Sequence, residues 1–309
     1  MDTIAIKKVL VPIDFSELSD NAVRTATAIC VRQNASMVML HVNETTLNIV
    51  SPYGVSYMSS TLRGISDTQL NKLKVIAAEI NSREKIFIEI AIRTGNVCES
   101  ICALAEQTKT DLIVMGTHGS SGLREFFIGT SAYHVIRHSP VPVLTVPSAG
   151  NWTEFKKILF PVRMVNGAFD KYEAILSIIK KNNSSLIILG LAENNNPSQL
   201  PELTDLINKF KSKITQDEIA FEIVIYYGDK LPEKILETAH NYNADLIVIT
   251  AVLDHTMKDF FVGPYAQQIV NHSKIPVLTI RPRIIETESV LHKLHEMEKN
   301  EFSNQQFAV

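Results

Sequence analysis

Short unbroken apolar runs alternate along the chain with stretches whose apolar residues stand three and four apart. Lys8-Val-Leu-Val-Pro-Ile13 is one such run, and its lack of polar alternation predicts a strand covered on both faces. Ser16 then offers an N-cap to a helix whose Leu18, Ala22, Ala26 and Ile29 share one stripe. A second run, Met37 to Val42, precedes Thr45 to Ser66, which holds Pro52, two glycines and several serines without a period and reads as a long loop or lid. Next come a helix over about Asp67 to Asn81, a strand over Ile86 to Ile92, Gly95 as a stop, a helix over about Val97 to Lys109 and a strand over Asp111 to Met115. After a glycine-bearing loop, a helix through Ala132, Val135 and Ile136 has to end before Pro140, and Val141 to Val146 is the last strand. Pro142 inside that strand predicts a sheet edge, where a missing N–H is tolerated. Strands alternating with helices in this way give a parallel α/β sheet with right-handed crossovers.

The pattern then restarts. Lys156-Lys-Ile-Leu-Phe-Pro-Val162 matches Lys7-Lys-Val-Leu-Val-Pro-Ile13, Asn243 to Ile249 matches Thr110 to Met115, and Ser273 to Ile280 matches Ser139 to Val146. This is a tandem duplication. The second copy is shorter, and most of the deficit falls where the first copy carries its Thr45 to Ser66 loop. Residues 1–148 and 153–282 therefore form two domains joined by Ser148 to Thr153. In the remaining tail, 283–309, Val290, Leu291, Leu294 and Met297 suit a short amphipathic helix.

Composition narrows the class without naming an activity. With 45% hydrophobic and 20% charged residues the chain is of ordinary globular type, and no apolar run approaches the ~18 residues of a membrane span. The first residues lack the basic start and long apolar segment of a signal peptide, so a cytoplasmic location is the expectation. A net charge of -3 supplies no field that would draw nucleic acid or an anionic membrane. Cys30, Cys98 and Cys102 fall in stretches that read as buried helix faces, which suits a packing role. His134 and His138, one helical turn apart, have no evident third ligand, so no metal site is assigned.

The chemistry concentrates between Met115 and Ser131, in MGTHGSSGLREFFIGTS. A strand that empties into a glycine-bearing loop and then a helix gathers backbone N–H groups at a helix start, a ready site for a phosphate. Two common phosphate fingerprints, G-x-x-x-x-G-K-[ST] and G-x-G-x-x-G, are absent. The sequence instead has Gly116-x2-Gly119-x9-Gly129-Thr130-Ser131. In an open α/β sheet the ligand lies beyond the carboxyl ends of the strands, where their order reverses; Asp14 and Val42 end the first two strands on that edge.

These residues resemble the ATP-binding members of the universal stress protein family, which show G-2x-G-9x-G-[ST] after the fourth strand and an Asp after the first. The resemblance covers about residues 4–282. It implies two open parallel five-stranded sheets of order 3-2-1-4-5, flanked by helices, whose fifth strands pair to make an intramolecular pseudo-dimer. Carried over by position, Asp14 contacts the ribose or adenine side, and Pro12, Ile13 and Val42 line the base. Met115, Gly116, His118 and Gly119 flank ribose and phosphates, and Gly129, Thr130 and Ser131 hold the β- and γ-phosphates. ATP, with Mg²⁺ on its phosphates, is the implied ligand, and a nucleotide-responsive regulator or stress factor with an unknown protein partner is the implied role. Higher oligomers are compatible with it, and ATP ordering the Thr45 to Ser66 loop is the mechanism expected.

The same residues admit plainer readings. Asp14 could cap the first helix, Val42 could be core, Gly116 and Gly119 could serve only a tight loop, and His118 could be a solvated loop histidine. Slow or partner-stimulated ATP hydrolysis, and a structural or interaction protein that binds no nucleotide, are the alternatives to a regulator. There is no G-x-S-x-G, no C-x-x-C and no acid/base pair that spacing identifies. The second half has Arg163 at the Asp14 position, Thr250 and Leu253 at Gly116 and Gly119, and Pro264 at Thr130; only Gly263 survives. Pro264 lacks an N–H and Leu253 adds bulk, so one nucleotide per chain is expected. For Arg163, a surface or inter-domain ion pair is expected over a second anion site.

Overall fold

The computed structural model describes residues 5–44, 58–117, 129–164, 168–194, 199–251 and 264–281. The first half runs β1 (Lys8–Pro12), α1 (Glu17–Gln33), β2 (Ser36–Asn43), α2 (Met58–Glu84), β3 (Ile88–Thr94), α3 (Val97–Gln107), β4 (Leu112–Gly116), α4 (Thr130–His138) and β5 (Val143–Val146). The second half repeats it as β6 (Lys157–Val162), α5 (Ala168–Asn182), β7 (Ser185–Ala192), α6 (Gln199–Gln216), β8 (Phe221–Tyr227), α7 (Leu231–Asn241), β9 (Leu246–Thr250), α8 (Pro264–His272) and β10 (Val277–Ile280).

All ten strands join one sheet of order β3-β2-β1-β4-β5-β10-β9-β6-β7-β8, which is the five-strand order 3-2-1-4-5 followed by its reverse. Neighbours are parallel except at the centre, where β10 runs antiparallel to β5 with Leu278 opposite Leu144. One face packs under α1, α2, α5 and α6, among them Ala26, Leu73, Ile179 and Phe210. The other packs under α3, α4, α7 and α8, among them Ile101, Val135, Ile235 and Ile269. Because both faces are covered, β1, β4 and β9 are buried nearly end to end, as their unbroken apolar runs require.

The same polar device starts both halves. The Asp111 carboxylate accepts from the backbone N–H groups of Lys7 and Lys8 at 2.7 and 2.9 Å, and Asp245 does so for Lys156 and Lys157 at 2.7 and 3.1 Å. Each aspartate thus holds the first strand of its half against the fourth. Across the halves, the Thr145 hydroxyl donates to the Val277 carbonyl at 3.1 Å, Arg281 donates to Ser139 at 3.1 Å, and Asn21 donates to Pro147 in the connection at 2.7 Å.

Three sequence expectations change. The loop expected over Thr45 to Ser66 is shorter at its far end, because α2 begins at Met58. Met58, Leu62 and Ile65 stand four and three apart, the spacing that Leu73, Ala77 and Ile80 repeat, and the single Gly64 costs a helix only ~1 kcal/mol. Residues 45–57 and the tail 282–309 lie outside the described residues, as does the expected loop ordering. Pro142 does not mark an edge: β5 is central, between β4 and β10. The proline stands one residue before the strand, where its carbonyl accepts from Ile113 N–H at 3.0 Å and no N–H is asked of it. The third strand is also shifted two residues toward Thr94, so that Gly95 follows it directly with φ +129°, a conformation that suits glycine.

Candidate functional site

The site builds from the carboxyl end of β1. Ile13 N–H donates to Leu40 at 2.7 Å, which keeps the chain in register one residue past the strand. The exposed Asp14 accepts from the backbone N–H and hydroxyl of Ser16 at 3.0 and 2.5 Å, and the Ser16 hydroxyl in turn accepts from Ser19 N–H at 3.3 Å. Ser16 is the α1 N-cap and Asp14 braces it through a carboxylate oxygen, so Asp14 stands both at the helix start and at the sheet edge. Phe15 between them takes a left-handed φ of 62°.

A residue that the sequence reading passed over holds this end in place. His41 is buried, with Nδ1 2.7 Å from the Ile13 carbonyl and Nε2 3.2 Å from Asn43 Oδ1, and its ring lies 4.8 Å from that of Phe15. The Ile13 carbonyl can only accept, so Nδ1 carries the proton. The signal was a single histidine inside the apolar Met37 to Val42 run. Val42 is half-buried beside it and packs on the α3/α4 side of the core.

The other wall is the end of β4. Met115 and Gly116 pair with Thr145 and Val146, Thr117 N–H donates to Val146 at 3.2 Å, and Gly129 N–H donates to Thr117 at 2.8 Å. The ends of the intervening loop therefore meet at one hydrogen bond. His118 and Gly119 lie outside the described residues. Gly129 is the N-cap of α4 with extended backbone, and no side chain among the described residues caps it. The first-turn N–H groups of Thr130 and Ser131 thus lack an intrahelical acceptor. Pro12, Ile13, Asp14, Val42, Met115, Gly116, Gly129, Thr130 and Ser131 all stand on one edge of the sheet. β1 and β4 are neighbours there, and the chain leaves β1 toward β2 but returns on its other side. That is the point where strand order reverses.

On the α3/α4 side, a cavity of about 760 Å³ opens beside this edge. Among the described residues expected at the site, only Thr130 and Ser131 line it; the rest of its wall includes Glu44, Cys98, Cys102, His134 and His138. Cys98 and Cys102 are therefore half-buried and not enclosed, with Cys98 still packed against the α3/α4 side of the core, whereas Cys30 is buried as expected. Burial pushes the Cys30 thiol up to about 12. Among the described residues no three His, Cys, Asp or Glu side chains gather as metal ligands.

The second half fills the equivalent place with its own side chains. Arg163 lies with its guanidinium 4.2 Å from the centroid of the Tyr265 ring and 3.6 Å from the Glu193 carboxylate. Tyr265 follows Pro264 where Ser131 follows Thr130, and burial raises its phenol above the ordinary tyrosine range. The Arg163 ion pair is within its own half rather than between halves. Leu253 and Gly263 lie outside the described residues.

Comparison with known proteins places both halves together. The model of the universal stress protein family matches residues 5–147 and again 155–281. A universal stress protein of Methanocaldococcus jannaschii is 31% identical over 142 residues, 45% of this chain and 81% of that protein. The solved structure of a universal stress protein from Archaeoglobus fulgidus aligns with 89% of this chain and 98% of its own, with a TM-score of 0.72 at 19% identity. A universal stress protein solved in complex with cAMP aligns with 47% of this chain and 99% of its own, at 25% identity and a TM-score of 0.34. Among the described residues no helix is long and apolar enough to cross a membrane.

Proposed function

The chain belongs to the universal stress protein family, and from that premise we propose that its first half binds ATP and works as a nucleotide-responsive regulator, while the second half completes the sheet. The observation that carries the reading is the convergence of three strand ends and one helix start on a single edge at the strand-order reversal. The base would lie against Pro12, Ile13 and Val42, with Asp14 toward the ribose. The phosphates would meet the N–H groups of Thr130 and Ser131, where the helix dipole adds about 0.3–1 kcal/mol to the direct hydrogen bonds. Mg²⁺ would arrive as the counter-ion of those phosphates.

One nucleotide per chain is the stoichiometry, because Arg163 and Tyr265 occupy in the second half the place a nucleotide would take in the first. Calorimetric titration of the full, nucleotide-free chain with Mg·ATP tests both statements. The expected result is one site, lost in Asp14→Arg, which copies the second half, and weakened in Gly119→Leu. Two sites, or a single site unaffected by both substitutions, would refute the assignment.

A further inference from the structure

The face that α3 turns toward α4 carries chemistry that nucleotide binding does not use. Cys98 lies in the first turn of α3, behind an Asn96 N-cap that accepts from Glu99 N–H at 3.0 Å. Cys102 is one turn on, with its thiol beside that of Cys98. From α4, His138 Nδ1 stands 4.0 Å from the Cys98 sulfur, and the His134 ring stacks on that of His138 with centroids 6.1 Å apart. Both thiols open onto the cavity of about 760 Å³, large enough for a small organic molecule. The second half lacks the arrangement: Pro232, Leu236 and Gln268 stand at the positions of Cys98, Cys102 and His134.

We propose that Cys98 is a nucleophilic thiol that reacts with small organic disulfides entering this cavity, with Cys102 as the neighbour that stabilises its thiolate. The Cys98 thiolate attacks one sulfur of the disulfide. A new S–S bond forms at Cys98, the original S–S bond breaks, and the departing thiolate takes a proton from water. No further oxidant is required, because the organic disulfide accepts the electron pair.

The surroundings favour a thiolate at Cys98 over one at Cys102. A helix N-terminus lies behind Cys98, the Cys102 thiol lies beside it, and the His138 ring flanks its sulfur at 4.0 Å while directing its Nδ1–H chiefly at the His134 carbonyl 2.8 Å away; together they favour negative charge there. Among the charged neighbours, Glu99 opposes ionisation of Cys98, while Arg281 favours and Glu106 opposes that of Cys102; Glu44 lies on the cavity wall. The result lowers Cys98 to about 7, chiefly through the neighbouring Cys102 thiol, and drives Cys102 upward for the same reason. The assignment goes beyond the nucleotide reading and does not depend on it.

The test uses the full chain, reduced beforehand, with oxidised glutathione as probe at pH 7 and peptide mapping by mass spectrometry. Mixed disulfide should form at Cys98 at least ten times faster than at Cys102 or Cys30, and Cys102→Ser should retain it at Cys98. Iodoacetamide alkylation gives an independent readout. Its rate at Cys98 should rise with a midpoint near neutrality, and Cys102→Ala should move that midpoint up by a pH unit or more. Equal labelling of the three cysteines, or a Cys98 midpoint at the value of an ordinary thiol in the unmodified chain, would overturn the proposal.

Discussion

Lys171 offers a sharp test of the packing in the second half. Its side chain sits inside the core at 3% exposure, donates to the Pro161 carbonyl and holds its ammonium 4.1 Å from the centroid of the Phe160 ring. Burial, helped by the positive charge of Arg163, lowers its pKa from 10.5 to about 7. Between those values the unfolded chain binds a proton that the folded chain does not, so this group makes stability rise with pH over that window. The slope is half of about 1.4 kcal/mol per pH unit at pH 7 and approaches the full value above it, which gives about 2 kcal/mol between pH 7 and pH 9. Burial raises the Tyr172 and Tyr265 phenols, so they titrate above this range. Lys171→Met keeps the volume and removes the titration, at the loss of one hydrogen bond of about 1 kcal/mol. Urea denaturation of both proteins at pH 7 and pH 9 should show the substituted chain gaining relative stability at the lower pH and losing most of that gain at the higher. A stability difference that is the same at both pH values would refute a buried, proton-shedding amine.

Other substitutions probe the elements that hold the site. Asp111→Ala strips two strand-start N–H groups of their acceptor and should cost about 1–3 kcal/mol in urea midpoints, with Asp245→Ala giving a similar loss in the other half. Ser16→Ala removes the α1 cap and should cost about 0.5–2 kcal/mol; it should also weaken ATP binding in calorimetry, because the cap positions Asp14. His41→Leu removes a donor to the Ile13 carbonyl and should destabilise the first half by about 1–3 kcal/mol. Amide exchange near Ile13 should rise with it, and unchanged exchange there would refute a role for His41 in fixing the β1 end.

Much of this protein follows from periodicity alone. Runs such as Lys8 to Ile13 and Asp111 to Met115 can be satisfied only as strands covered on both faces, and the stripes between them only as covering helices, so a parallel α/β sheet is forced. Duplication is legible because the Lys-Lys starts and the aspartates that cap them recur together. The position of the candidate site is legible too, because in a parallel sheet every loop after a strand reaches the same edge. Strand order is different: alternation says nothing about which strand lies beside which, and that information came from the family resemblance and the pairing itself. The central place of β5 depends on a partner strand more than a hundred residues away, so a local reading of Pro142 pointed to an edge that the second half covers. Arg163 on Tyr265, Lys171 inside the core, and two thiols on the wall of a cavity are equally non-local. Each depends on how two helices or a strand end and a helix start approach one another, which is decided by packing across the whole fold and not by the spacing of residues along any one element.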